Sequence, residues 1–213
     1  MERLIESPRL SLFNRQIQQV LDAERIRRAH FIETMTEGEK VEFINGEVIV
    51  HSPVKLQHNV ATKLLLKLLD TYVGSHGLGL VGFEKLLISL TRNDYEPDIC
   101  FFRRETADRF TPAQMRFPTP DFIAEVLSES TARHDRGIKF DDYAAHGVAE
   151  YWIIDPDAEM VEQYLLDGDQ YALAVKAGSG VLVSRAVAGF EIPVRAIFDE
   201  AVNLATLRTM LGG

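Results

Sequence analysis

The chain has 213 residues, of which 46% are hydrophobic and 26% charged; this is a globular composition, long enough to bury a core without staples. Its one cysteine, Cys100, excludes an internal disulfide, and no run approaches the ~18 apolar residues of a membrane span. The net charge of −9 argues against indiscriminate binding to nucleic acid, but all of it arises between Asp141 and Asp169, where nine acidic residues occur without a Lys or Arg; elsewhere 23 acidic residues meet 23 basic ones. Charge therefore leaves the partner open.

The opening MERLIESPRL has no apolar signal-peptide core, and a cytoplasmic protein with no membrane partner is expected. Ile17, Val20, Leu21, Ala23, Ile26 and Phe31 recur at roughly helical spacing and predict a helix over 16–35. A polar break, TEGEK, occupies 36–40. Val41 and Phe43, then Val48 and Val50, alternate with polar residues about Asn45-Gly46, which predicts a β-hairpin ended by Ser52-Pro53. Val60, Ala61, Leu64, Leu65, Leu68, Leu69 and Tyr72 form the apolar stripe of a long helix over 55–73, closed by Gly74, Gly77 and Gly79.

Strands are expected at about 80–90 and 96–102, followed by a charged loop over 103–120. A short apolar strand follows at 121–128, then a helix at 132–146 whose first N–H groups Ser128 and Thr131 are placed to cap. Residues 151–155 and 160–166 pair as a hairpin across DPDAE; further strands are expected at 171–175 and near 181–187, and a last helix at about 199–211. Neighbouring hairpins require a mixed sheet, so the fold class is α/β or α+β. Cys100, inside the run ICFF, reads as a small buried hydrophobe rather than a nucleophile.

Two carboxylates are out of place in this pattern. Glu125 lies mid-strand in FIAEVL and shares a face with Ile123 and Leu127. Asp98, in EPDICFF, shares a face with Cys100 and Phe102, and Pro97 before it suggests an edge or the mouth of the sheet. A carboxylate on an apolar strand needs a cation or a donor. If the two strands are neighbours, both groups converge on one point, and an all-oxygen donor set suits Mg²⁺ or Mn²⁺ rather than Zn²⁺. The competing reading is two buried ion pairs with Arg or Lys. On the next helix, Asp135, Lys139, Asp142 and Tyr143 share one face. Lys139 either reaches back toward an attacking water or pairs with Asp135 on a solvated face.

These residues resemble the Uma-type restriction endonucleases, a branch of the PD-(D/E)XK nuclease superfamily. The matching pieces are VEFINGEVIVHSP, His58, EPDICFF, PDFIAEVLSEST, Asp135 with Lys139, and GVAEYWIIDP, in order over about residues 41–165. The resemblance implies a central mixed sheet flanked by helices, Asp98 and Glu125 as metal ligands, the carbonyl of Val126 as a third, and Lys139 as the catalytic lysine. In most of the superfamily that lysine stands two residues after the second acid, where this chain has Leu127; the branch relocates it to the following helix.

Glu42 and His58 match family positions as supporting residues; taken alone, Glu42 is one acid in an exposed hairpin and His58 a core or helix-end histidine. Asp135 and, more weakly, Glu84 complete the supporting set. His51 and Glu129 depart from the family pattern. The implied organisation is an N-terminal helical extension, 1–35, and a nuclease-like domain, 36–213. The expected function is a Mg²⁺- or Mn²⁺-dependent endonuclease acting on DNA, with a homodimer as a natural assembly. The rival readings are a catalytically inactive nuclease-fold binding or assembly protein, and a hydrolase of smaller phosphate esters.

Overall fold

The structure is a computed structural model that describes residues 5–36 and 38–212. Helix α1 (Leu10–Thr34) precedes the hairpin β1 (Val41–Ile44) and β2 (Glu47–Val50), then α2 (Leu56–His76). Strands β3 (Gly79–Phe83), β4 (Leu87–Ser89), β5 (Asp94–Tyr95) and β6 (Ile99–Arg103) follow, then the short α3 (Arg104–Ala107), β7 (Arg116–Phe117) and β8 (Phe122–Val126). The remainder is α4 (Ala132–Asp135), α5 (Ile138–Ala145), β9 (Glu150–Asp155), β10 (Met160–Asp167), β11 (Gln170–Ala177), β12 (Val181–Val183), β13 (Glu191–Pro193), a 3₁₀ turn (Val194–Ile197) and α6 (Glu200–Met210).

A six-stranded sheet in the order β11-β10-β9-β8-β6-β3 forms the centre, and it is mixed because β8 and β9 run parallel while its other pairs are antiparallel. A second, five-stranded sheet has the order β2-β1-β5-β4-β7, and β12 pairs with β13. Period-two alternation sorts the central strands into two cores. Ile99, Phe101, Phe122, Ala124, Val126, Trp152 and Ile154 pack with Leu65, Leu68 and Leu69 of α2. Cys100, Phe102, Ile123, Tyr151 and Ile153 face the other way, onto Tyr143 of α5 and onto Ile44, Ile88 and Tyr95 of the second sheet. The fold is thus the expected α+β class, a mixed sheet covered by helices.

The hairpin turns at Asn45 (φ 51°) and Gly46 (φ 86°), as the dipeptide predicts. Several expected elements differ. Helix α1 starts six residues before the predicted 16, and Ile17, Val20 and Ile26 of its apolar pattern are exposed. It is fastened instead by polar bonds from its other face: Arg28 to Asp94, Glu24 to Arg92, and Arg27 to the Gly46 carbonyl, with Phe31 buried beside Phe43. Gly74 lies inside α2, which runs to His76 and closes on Gly77 in the left-handed conformation.

The strand predicted over 80–90 is two strands separated by a turn at Glu84, whose φ is +46°. The 103–120 loop contains α3 and β7. The helix predicted over 132–146 breaks at Arg136-Gly137 into α4 and α5. Ser128 and Thr131 do not cap it: Ser128 Oγ accepts from the Thr131 N–H at 3.2 Å and Thr131 Oγ1 from the Ser128 N–H at 3.3 Å, a closed turn of their own. Of the polar break at 36–40, residue 37 lies outside the described residues, as do 1–4 of the expected N-terminal extension. No helix of the described residues is long and apolar enough to cross a membrane.

Candidate active site

Asp98 and Glu125 are brought together by the β6–β8 ladder. Its register pairs Ile99 with Ala124, so one step further sets Asp98 opposite Glu125 at the mouth between the strands. β6 lies inside the sheet, between β8 and β3, so of the two positions that Pro97 suggested it marks the mouth and not an edge. Both side chains belong to the Cys100/Ile123 face, and both are buried. They are clasped reciprocally: the Val126 N–H donates to Asp98 Oδ2 at 2.9 Å, and the Asp98 N–H donates to Glu125 Oε2 at 3.2 Å.

Lys139 enters from α5. Its Nζ lies 3.0 Å from Glu125 Oε1, 2.9 Å from Glu42 Oε1 and 3.3 Å from Asp135 Oδ1, and it sits over the Tyr95 ring at 5.8 Å. The Asp135–Lys139 pair is therefore buried, which corrects the solvated-face reading; the break at Gly137 and the Tyr151 hydroxyl, which donates to the Asp135 carbonyl at 3.0 Å, set the angle at which α5 presents it. Tyr143, one turn further on, donates its hydroxyl to Glu125 Oε1 at 3.1 Å.

Glu42 is wholly buried on β1, not an exposed hairpin acid, because Val41 and Phe43 do not turn their neighbour to solvent where β1 lies between β2 and β5. Its Oε1 also accepts from the Glu96 N–H at 2.9 Å, and His51 Nε2 lies 3.0 Å from Oε2. His58, on the first turns of α2, places Nε2 3.3 Å from Asp98 Oδ2. Glu84 lines the same cavity, but from the β3–β4 turn and not from the start of a strand; its backbone N–H donates to the Asp98 carbonyl at 3.0 Å.

Sequence reasoning missed Lys40, His51, Glu96 and the Tyr143 hydroxyl as parts of this cluster. Lys40 Nζ donates to Asp98 Oδ1 at 2.8 Å. In the sequence His51 stands out only as a departure from the family pattern. The site opens to a cavity of about 360 Å³ lined by Lys40, His51, His58, Asp98, Glu125 and Lys139, with Ser128, Ser130 and Thr131 on its rim. A larger groove of about 500 Å³ lies between α1 and the hairpin, but among the described residues Glu39 is its one carboxylate and no comparable cluster lines it.

Five buried carboxylates, Glu42, Glu96, Asp98, Glu125 and Asp135, surround two lysines. Burial pushes the Glu125 carboxyl up to about 8; Lys139 opposes the shift, and Asp135, Asp98 and Glu42 reinforce it. Burial also raises Asp98, but Lys40 and His58 outweigh it and hold that group well below the usual carboxylate range. Burial is likewise outweighed at Glu42, where Lys139 and His51 bring the carboxyl down to about 2. Lys139 is raised well above an ordinary lysine despite its burial, because Glu125, Glu42 and Asp135 surround it. It is a fixed cation and not a base near neutral pH. Burial pushes the Cys100 thiol up, as suits a core residue.

The donors are hard oxygens, and negative charge exceeds positive charge, so the cluster fits a divalent cation of the Mg²⁺ kind in chemistry. Among the described residues no three His, Cys, Asp or Glu side chains are grouped as a ready metal cage. A third protein ligand would have to come from backbone.

The chain is 35% identical over 135 residues to the uncharacterized protein sll1609 of Synechocystis sp., covering 62% of this chain and 75% of that one. Its fold is similar to the crystal structure of a putative nuclease belonging to DUF820 from Anabaena variabilis, with a TM-score of 0.68 and 18% identity over 83% of this chain and 96% of the other. The model of the Uma2 family, described as "Putative restriction endonuclease", matches residues 24–195. A match over that much of the chain makes the protein a member of the Uma2 family.

Proposed function

We propose that the protein is an endonuclease that hydrolyses phosphodiester bonds in DNA with Mg²⁺ or Mn²⁺. The observation that supports this best is the apposition of Asp98 and Glu125 across β6 and β8 with Lys139 on the second carboxylate. Asp98 and Glu125 would hold the ion. The Val126 carbonyl is the candidate third ligand, because in an extended strand N–H and C=O of one residue point the same way, and the Val126 N–H is aimed at Asp98. When bound, such a cation polarises a phosphate oxygen and makes a nucleophile available at neutral pH.

The chain's own residues do the rest. Lys139, held charged by its three carboxylates, donates hydrogen bonds to the attacking water and stabilises charge that develops on the phosphoryl oxygens. Glu42 and Asp135 are positioning residues that fix the ammonium, and Tyr143 fixes the Glu125 carboxylate. His58 holds Asp98 from the α2 side.

The acidic stretch 141–169 favours the rival, an inactive binding module, because such a surface repels phosphates. Much of that charge is engaged within the fold: Asp142 accepts from Tyr95 and Asn93, Glu150 accepts five hydrogen bonds inside the molecule, and Glu162 pairs with Arg136 and Lys176. Incubation of plasmid with Mg²⁺ or Mn²⁺, with a chelator control, tests the proposal. Cleavage by the wild type and none by Asp98→Ala is expected. Cleavage at wild-type level by Asp98→Ala, or none by the wild type, contradicts it.

A further inference from the structure

We propose that Lys40 is the resident counter-ion of the metal-binding carboxylate: it occupies the free oxygen of Asp98 until a divalent cation displaces it, and then turns its ammonium to the substrate phosphate. The inference rests on the reading of Asp98 and Glu125 as metal ligands and adds a residue that this reading lacks.

The two oxygens of Asp98 have different occupants. Oδ2 takes the Val126 N–H at 2.9 Å and faces His58 Nε2 at 3.3 Å, so the fold itself holds it. Oδ1 takes Lys40 Nζ at 2.8 Å. Oδ1 is therefore the oxygen that would be open to a cation without disturbing the β6–β8 clasp, in the place that Lys40 holds. An ammonium and a divalent ion at contact distance from one oxygen repel each other, so a bound ion weakens the hold of Asp98 on Lys40.

Lys40 is built to leave. Its side chain is 25% exposed, whereas that of Lys139 is 2% exposed. Lys139 ion-pairs with three carboxylates, whereas among the described residues Lys40 ion-pairs with Asp98, with Glu125 a more distant attraction. The backbone around it is fixed: its carbonyl accepts from the His51 N–H at 3.0 Å, and the next N–H, of Val41, donates to Glu96 at 2.9 Å. The exchange is consequently a rotation of a flexible four-carbon stem and not a movement of the chain. Lys40 also lines the cavity through which a substrate reaches Asp98 and Glu125, so the displaced ammonium remains beside the position a phosphate would take.

The experiment compares wild type, Lys40→Gln and Lys40→Arg by Mn²⁺ calorimetry and by binding of a duplex oligonucleotide in Ca²⁺, neither of which reads turnover. If Lys40 covers Asp98 about nine-tenths of the time, the competent fraction is about one tenth, and Lys40→Gln binds Mn²⁺ roughly tenfold more tightly. The same variant binds the oligonucleotide more weakly, and its dependence of log affinity on log salt is shallower by about 0.9, the loss of one phosphate contact. Lys40→Arg keeps the charge and stays near wild type in both. A merely structural lysine predicts the opposite sign, since a loosened site binds metal less well.

Unchanged or weaker Mn²⁺ affinity in Lys40→Gln, with wild type binding Mn²⁺, overturns the displacement and leaves the metal ligands standing. Unchanged oligonucleotide binding, or none by the wild type, overturns the transfer to phosphate. Absence of Mn²⁺ binding in every protein overturns the metal reading and this inference with it.

Discussion

Lys139 is the cation at the centre of the buried cluster. Its buried ammonium ion-pairs with Glu42, Glu125 and Asp135, and removing one partner of a buried ion cluster costs about 3–5 kcal/mol. Lys139→Met should therefore lower the unfolding free energy by about that much in a urea titration, besides reducing cleavage by roughly 10²–10³. The double variant Lys139→Met with Glu42→Gln removes one stranded charge and should recover part of the stability but none of the cleavage. Glu125 gives a pH signature. Its folded value, about 8, lies above the ordinary 4.5, so its contribution to stability is complete below about 4.5 and is lost as pH rises through about 8. Thermal melting of metal-free Glu125→Gln against wild type should show a small gap at pH 5 that widens in the variant's favour by several degrees at pH 9; a gap that does not change with pH would show that Glu125 titrates normally. Asp98 and Glu125 were legible because a carboxylate on an apolar strand is anomalous within its own few residues. Lys40 was not, since a lysine in TEGEK looks like any loop lysine and its partner lies 58 residues away.

At the level of elements, the site depends on how α5 is aimed. The break at Gly137 turns the chain between Asp135 and Lys139, and a Cβ there would lie 2.7 Å from the Arg133 carbonyl oxygen. The backbone must shift to admit it, so Gly137→Ala should cost about 1–3 kcal/mol and reduce cleavage, because the Lys139 ammonium moves with the helix. Retained cleavage and stability in this variant would show that the break does not position Lys139. A helical pattern continues through residues 136 and 137, which is why the sequence predicts one helix where the molecule has two. Strands β1, β2, β8, β9 and β10 were legible from alternation and turn residues. The face of α1 was not: Ile17, Val20 and Ile26 mimic a buried stripe, while arginines and Glu24 do the fastening, and ion pairs leave no periodic trace in hydropathy.

For the whole molecule, two sheets and α5 converge on one cavity, and the excess of carboxylates over lysines there predicts that divalent ions stabilise the fold. A ligand that binds only the folded state adds about 2.7 kcal/mol at a hundredfold excess over its Kd. Mn²⁺ or Mg²⁺ should therefore raise the melting temperature of the wild type, chelator should reverse the rise, and Asp98→Asn should abolish it. The class of fold was readable from the order of strands and helices. The splitting of its strands into a six-stranded and a five-stranded sheet was not, because pairs such as β1 with β5 and β4 with β7 join segments far apart in the chain.

Anomalous diffraction from crystals soaked in Mn²⁺ tests the pairing of Asp98 with Glu125 most directly. The expected result is one strong peak about 2.0–2.4 Å from an oxygen of each side chain. A peak elsewhere, or none at that position with the metal in excess, would contradict it.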